Sequence, residues 1–322
     1  MKYIIAIDGG GTKTHLMLFD LFGKSYYQEI AEGSNHSAKG QAHFKKVIKS
    51  LFENAKTAIK ISNDDLALVY LGLSGADLEE DFKILNDACK TIFEEVPFKI
   101  VNDAWIIMRS GVSTPYGAVA IAGTGTNSAA INQKGERAIL RALSFTLGTY
   151  GGGLDIAREA MHYAFRSEEL TYQKTILEEE IPKLFNKTTL SEIIPLFYPK
   201  KVVSRIKFGE ITALVNECAL KGDQVSQAIL TKMGNYIGMQ TAGVIKQVKM
   251  EKAKFPVVIG GRVFNSKSSL LLNEFTRTLK QSCPNSYIVK PQYSPVVGAY
   301  LSALDELKIT INEQILKALK GK

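Results

Sequence analysis

Two turns rich in glycine and threonine carry the residue types best suited to chemistry in this chain. The first, Asp8-Gly9-Gly10-Gly11-Thr12-Lys13-Thr14, follows the apolar run 3–7 and precedes His15-Leu16-Met17-Leu18-Phe19. Three successive glycines let main-chain N–H groups approach phosphate oxygens. Thr12 and Thr14 add hydroxyl donors, and Asp8 at a strand end can hold a hydrated Mg²⁺. A tight hairpin turn would use the same glycines. The second turn, Gly123-Thr124-Gly125-Thr126-Asn127, lies between the apolar runs 117–122 and 128–131. Strand, glycine turn, strand and polar turn thus occur twice, which favours one polyphosphate held by both turns and a fold of two related halves. No Gly-x-x-x-x-Gly-Lys-[Ser/Thr] run is present, so P-loop chemistry is set aside.

Asp103 lies between the two turns, after the apolar stretch 98–101 and Asn102 and before Ala104-Trp105. A carboxylate there can accept the proton of a hydroxyl that attacks a γ-phosphate, and can also face the metal. An Asp at a strand-to-helix corner equally serves as a helix N-cap, so the residue has two readings. Gly260-Gly261 ends the apolar run 255–259. Two residues without side chains would let a base and ribose approach the backbone, or simply form a left-handed turn.

Periodicity supplies the elements that must position these groups. Apolar and β-branched runs predict strands at residues 3–7, 15–19, 26–30, 66–73, 98–101, 117–122, 128–131, 255–259 and 287–289. Between residues 39 and 60, Phe44, Val47, Ile48, Leu51, Phe52, Ala55 and Ile59 recur at helical spacing. Further helices are expected at 78–93, 156–165, 172–184, 190–196, 208–220, 225–248, 270–281 and 297–307.

Composition narrows the function classes. Of 322 residues, 45% are hydrophobic and 22% charged, the make-up of an ordinary globular protein. That length exceeds what one core supports, so two domains are expected. The net charge of +8 is dispersed apart from short clusters such as Lys200-Lys201 and the tail lysines Lys317, Lys320 and Lys322. No nucleic-acid-binding motif accompanies it, so nucleic acid is not an expected partner. Cys89, Cys218 and Cys283 lack the spacing of a disulfide framework or zinc site, and His15, His36, His43 and His162 fit no hydrolytic triad. No apolar run approaches the ~20 residues that span a bilayer, and the first residues lack a signal-peptide core, so a cytoplasmic protein without a membrane partner is expected.

The order of motifs resembles the N-acetylglucosamine kinase or BadF/BadG/BcrA/BcrD-type ATPase family, within the actin, hexokinase and Hsp70 superfamily. The stretches that carry the resemblance are Ala6 to Thr14, Ser34-Asn35-His36, Gly72-Leu73-Ser74-Gly75-Ala76, Val101-Asn102-Asp103-Ala104, Ile121 to Asn127, Gly260-Gly261 and Pro295-Val296-Val297-Gly298-Ala299. The resemblance implies an α/β fold of two ribonuclease-H-like (actin-like ATPase) domains, with mixed five-stranded sheets flanked by helices and an ATP cleft between them. Its domains would be 1–114, 115–295 with a helical insertion, and 296–322, a C-terminal helix returning to the N-terminal domain. ATP and Mg²⁺ are the implied cofactors, with a small-molecule sugar as substrate and a homodimer as an assembly to test. Asp103 would be the catalytic base, and Asp8 with Asp103 would face the metal. Gly9, Gly10, Gly11, Thr12, Lys13, Thr14, Gly123, Thr124, Gly125 and Thr126 would hold phosphates, and Gly260 and Gly261 the nucleoside. Asn35, His36, Ser74, Asp103, Asn127, Gly148 and Thr149 fall on the substrate side.

The chain departs from that family at one place. Its sugar kinases usually carry Gly-Trp-Gly and then Gly-Asp-Glu-Gly-Ser-Gly, whose Asp binds sugar hydroxyls. Here the stretch reads Ala142-Leu143-Ser144-Phe145-Thr146-Leu147-Gly148-Thr149-Tyr150-Gly151-Gly152-Gly153. Thr149-Tyr150 replaces the acidic pair, which leaves a neutral hydroxyl pair to meet the sugar and predicts N-acetylglucosamine to be a poor acceptor. Asp155 either substitutes for the missing carboxylate or sits exposed at a helix start. The dehydratase-activating branch of the family shares an iron-sulfur cluster through cysteines, which Cys89, Cys218 and Cys283 are not spaced to supply. A non-catalytic sensor would not need Asp103.

Overall fold

The computed structural model describes residues 1–112, 114–199 and 204–321, with Ser144 and Arg205 described by backbone alone. The Lys200-Lys201 cluster and Lys322 lie outside the described residues. The chain opens with β1 (Tyr3–Gly9), β2 (Lys13–Asp20), β3 (Ser25–Glu32), α1 (His36–Lys39), α2 (Gln41–Ile59), β4 (Leu66–Leu73), α3 (Glu79–Phe93), β5 (Phe98–Asn102) and α4 (Asp103–Gly111). It continues with β6 (Gly117–Ala122), β7 (Thr126–Ile131), β8 (Arg137–Ile139), α5 (Ser144–Leu147), α6 (Gly153–Glu168), α7 (Leu177–Lys183), α8 (Leu190–Phe197), α9 (Arg205–Leu220) and α10 (Gln224–Gln247). The last elements are β9 (Pro256–Gly260), α11 (Leu270–Ser282), β10 (Tyr287–Val289), α12 (Pro295–Glu306) and α13 (Glu313–Ala318). Two compact units result, one of residues 1–119 with 289–322 and one of residues 120–288.

The first unit is a sheet in the order β3-β2-β1-β4-β5. β1 and β2 pair antiparallel across the glycine turn, whereas β4 runs parallel to both β1 and β5. Parallel partners need long crossovers, which α2 and α3 provide. Alternate side chains point to opposite faces of a strand. Ile5 and Ile7 of β1 join Phe44, Ile48 and Phe52 of α2 and Leu85 and Phe93 of α3 in one core. Ile4 and Ala6 join Ile106 of α4 and Val297, Tyr300 and Leu304 of α12 in another. Tyr300 stacks on Phe19 at 4.3 Å, and its hydroxyl donates to the Asp20 carbonyl at 3.0 Å, which satisfies the one polar atom this ring buries.

The second unit has a sheet in the order β10-β9-β6-β7-β8, with β7 and β8 antiparallel. Read from β8, this is the strand order of the first unit repeated five strands later. Among the described residues no helix is long and apolar enough to cross a membrane.

Candidate active site

In the first unit the turn between β1 and β2 is held from behind. The N–H groups of Gly33 and Ser34 donate to the carbonyls of Thr12 (3.0 Å) and Gly10 (3.1 Å). A trans peptide points its C=O and the following N–H in opposite directions, so pinning the Gly10 carbonyl turns the Gly11 N–H away from the brace. Among the described residues neither the Gly11 nor the Thr12 N–H has a protein acceptor. The brace tolerates no side chain at residue 33, where a Cβ would lie 2.2 Å from the Gly11 carbonyl oxygen. Thr12 and Lys13 are exposed at the turn. Thr14 corrects the sequence reading. It is fully buried and its hydroxyl donates to the Glu32 carbonyl at 2.9 Å, so register with β3 and not phosphate occupies it.

Carboxylates gather where β1, β4 and β5 end. Asp8 is the penultimate residue of β1, Asp77 follows β4, and Asp103 opens α4. The N-cap of α4 is Asn102, whose Oδ1 accepts the Ala104 N–H at 3.0 Å, and Asp103 is the first helical residue, its carboxylate also drawn to the N–H groups of that turn. Burial, and then the charges of Asp8 and Asp77, push the Asp103 carboxyl up to about 7. Burial also raises Asp8 to about 6, against the opposing pull of Lys13. α4 itself is fixed by Arg109, whose Nε donates to Asp305 of α12 at 2.7 Å. Asp8 and Asp103 fit a divalent cation, because a second positive charge relieves the repulsion that Asp8 exerts on Asp103. Mg²⁺ usually takes one or two carboxylates and completes its shell with water and phosphate. Among the described residues no cluster of three or more His, Cys, Asp or Glu could hold a metal, so such outer ligands would be required.

In the second unit the turn between β6 and β7 is braced by a different segment. The N–H groups of Gly153 and Leu154, which open α6, donate to the carbonyls of Gly123 (2.8 Å) and Thr124 (3.0 Å). The N–H groups of Thr124 and Gly125 therefore face outward, and neither has a protein acceptor among the described residues. Thr124 is exposed, whereas Thr126 is buried with its hydroxyl 3.4 Å from the Tyr150 carbonyl. Thr149 closes the seam by donating to the Thr126 carbonyl at 2.7 Å. Tyr150 is clamped by its hydroxyl on Glu159 (2.6 Å), a carboxylate that also holds Lys232 (2.9 Å).

These bonds bear on the altered loop. The hydroxyl protons of Thr149 and Tyr150 are both taken within the unit, by the Thr126 carbonyl and by Glu159. Asp155 is buried, not exposed, and its Oδ2 accepts the N–H groups of Gly151 and Gly152 at 3.1 Å each. It folds back onto the loop backbone, as a cap for α6.

The remaining sequence-chosen residues divide in the same way. Asn35 accepts the Ala38 N–H (3.0 Å) and donates through Nδ2 to the Ser74 hydroxyl (3.1 Å), which leaves the Ser74 proton available. His36 is buried with Nε2 3.0 Å from Asp81. Asn127 is buried and accepts the Ser128 N–H at 2.8 Å. Gly148 is exposed and lies against the Arg141 carbonyl. Gly261 has φ +92°, and a Cβ there would lie 2.2 Å from the Ala122 carbonyl oxygen, so conformation and packing against the second turn account for it. Gly260 closes β9 beside it. Sequence reasoning passed over Asp77, Asn102, Gly33 and Gly152, although Asp77 directly follows Ser74-Gly75-Ala76 and Asn102 directly precedes Asp103.

Two five-stranded sheets of one strand order, each with a glycine turn pinned by its carbonyls, define the actin-like ATPase fold. The chain belongs to the BadF/BadG/BcrA/BcrD ATPase family, whose model matches residues 5–303. It is 28% identical over 306 residues to the N-acetylmuramic acid/N-acetylglucosamine kinase of Clostridium acetobutylicum, covering 95% of this chain and 99% of that one. It is also 28% identical over 318 residues to the N-acetyl-D-glucosamine kinase of Dictyostelium discoideum, with 95% and 99% covered. A solved structure assigned as an N-acetylglucosamine kinase, from Chromobacterium violaceum, shares the fold with a TM-score of 0.70 at 18% identity, over 94% of this chain and 98% of that one.

Proposed function

We propose that the protein is an ATP-dependent kinase that transfers the γ-phosphate of Mg·ATP to a hydroxyl of an amino sugar. The observation that carries this reading is the pair of turns whose carbonyls are taken and whose N–H groups at Gly11, Thr12, Thr124 and Gly125 are not. Outward N–H groups of that kind are donors for phosphate oxygens, and the exposed Thr12, Lys13 and Thr124 side chains add to them. Gly260-Gly261 takes the nucleoside side. Asp103 accepts the proton of the sugar hydroxyl as its oxygen bonds to the γ-phosphorus and the bond to the β-phosphate oxygen breaks, releasing ADP. Burial raises its pKa above that of an ordinary carboxylate, which suits a base, and the rate should fall as acid protonates it. Asp8 and Asp103 would hold Mg²⁺, which would supply charge neutralisation of the triphosphate.

The acceptor's hydroxyls are read by Ser74, oriented by Asn35. Loop 148–153 offers no free carboxylate, so an anionic substituent meets no repulsion there. That supports N-acetylmuramic acid, with its lactyl carboxylate, ahead of N-acetylglucosamine, in keeping with the name of the Clostridium relative. The test is a panel of N-acetylmuramic acid, N-acetylglucosamine, N-acetylmannosamine and glucose, assayed for ADP release with the product identified by mass. A phosphorylated sugar is expected. ADP release that no sugar stimulates, with no phosphorylated product, would overturn the kinase reading in favour of an ATPase activator.

A further inference from the structure

Behind Asp103 the hydrogen bonds continue. Asn102 is 3% exposed, and besides capping α4 it donates through Nδ2 to the Ala76 carbonyl (3.3 Å) and to Asp77 Oδ1 (2.9 Å). The backbone of Asp77 is set in turn by Asp81, whose Oδ2 accepts the N–H groups of Asp77 (3.3 Å) and Leu78 (2.9 Å). The other oxygen of Asp81 holds His36 at 3.0 Å. One chain of contacts therefore runs from α1 through the start of α3 to the first turn of α4. The Nδ2 group of Asn102 has two N–H donors, one taken by Ala76 and one by Asp77, and a neutral oxygen at residue 77 would serve the second as a carboxylate does. The carboxylate is moreover costly there, partly buried and beside Asp81 and Asp103.

We infer that Asp77 is a positioning residue, which fixes the carboxylate of Asp103 by holding Asn102. The inference rests on the reading of Asp103 as the base. Asp77 has no proton to exchange with the substrate in this role. It fixes the angle at which α4 leaves β5, and a misplacement of about 1 Å can cost roughly 10²-fold in rate.

The experiment is steady-state kinetics of the full chain with Mg·ATP and the best acceptor of the panel above, for Asp77→Ala, Asp77→Asn and Asp103→Asn and the double variant Asp77→Ala/Asp103→Asn. Asp77→Ala should lower kcat by roughly 10-fold or more and leave KM for Mg·ATP within about 3-fold. Asp77→Asn restores an oxygen acceptor for Asn102 and should recover most of that loss. In the Asp103→Asn background Asp77→Ala should cost nothing further, because both act on one group. Wild-type kcat in Asp77→Ala, an Asn variant as slow as the Ala variant, or losses that multiply in the double variant would each overturn the inference. Should Asp77→Ala fail to fold, Asn102→Ala, which removes a cap worth about 1 kcal/mol, carries the test with the same expected loss of kcat. Wild-type turnover in Asp103→Asn alone would instead refute the base reading.

Discussion

Residues 6–14 read Ala-Ile-Asp-Gly-Gly-Gly-Thr-Lys-Thr and residues 120–128 read Ala-Ile-Ala-Gly-Thr-Gly-Thr-Asn-Ser, and the two runs occupy the same place in their sheets. In both, the carbonyls of the turn are pinned by N–H groups from elsewhere in the unit. The braces differ. A loop between β3 and α1 serves the first turn, and the opening residues of α6 serve the second. The charge differs too, since Asp8 and Lys13 stand where the second turn has Ala122 and Asn127. The shape of these turns is therefore a main-chain property that unrelated braces can produce, while the chemistry proposed for each depends on the side chain at the strand end. Only the first turn has a carboxylate at that position, and within the first unit its charge, with that of Asp77, acts on Asp103.

The largest test of that division is Asp103→Asn, which should lower kcat by about 10²- to 10⁴-fold while Mg·ATP binding by calorimetry is retained. An unchanged kcat would remove catalysis from the first unit. Next comes Thr149→Asp, which restores the acidity common in the family but places a buried carboxylate against the Thr126 carbonyl. It should destabilise the chain by about 3 kcal/mol in urea unfolding and bring no gain with N-acetylglucosamine. A stable variant with improved kcat/KM would show that the loop faces the sugar after all.

A smaller effect separates the two turns directly. Thr14→Val and Thr149→Val each remove one buried hydroxyl bond and should each cost about 1 kcal/mol. Only Thr149→Val frees a carbonyl of a phosphate turn, so only it should weaken Mg·ATP, by a few-fold. Equal ATP affinities would mean that the Thr149 bond does not shape the turn. A separate effect is on stability without magnesium. Asp8 and Asp103 sit at about 6 and about 7, above ordinary carboxylates, so the native chain holds their protons more tightly than the unfolded chain does. Their contribution to stability is then present at about pH 4 and lost as pH rises through about 7. Urea midpoints should show that decline shrinking in Asp103→Asn, and a decline of full size would contradict the assignment.

The sheets and long helices were legible because their buried faces impose a period. The stripe Phe44, Val47, Ile48, Leu51, Phe52 and Ala55 is buried along α2 as the spacing predicts. β8, α5 and α13 are three to six residues long and too short to show a period. In the site, glycine turns and Asp103 could be found because their chemistry follows from residue type. Type alone does not say where a hydroxyl goes. Thr14 and Thr149 bond carbonyls 18 and 23 residues away, partners that strand register and loop docking decide. His36 likewise meets Asp81, 45 residues away, only through the fold.

Calorimetric titration of Mg·ATP into the wild type, Gly33→Ala and Gly152→Ala tests the braced turns most directly. A Cβ would lie 2.2 Å from the Gly11 carbonyl oxygen in one variant and 2.6 Å from the Gly125 Cα in the other, so each must push its turn out of shape. The wild type should bind, and each variant, folded by circular dichroism, should bind roughly 10-fold or more weakly, a loss of about 1.4 kcal/mol or greater. Wild-type affinity in both folded variants would contradict the claim that the pinned carbonyls aim these turns at phosphate.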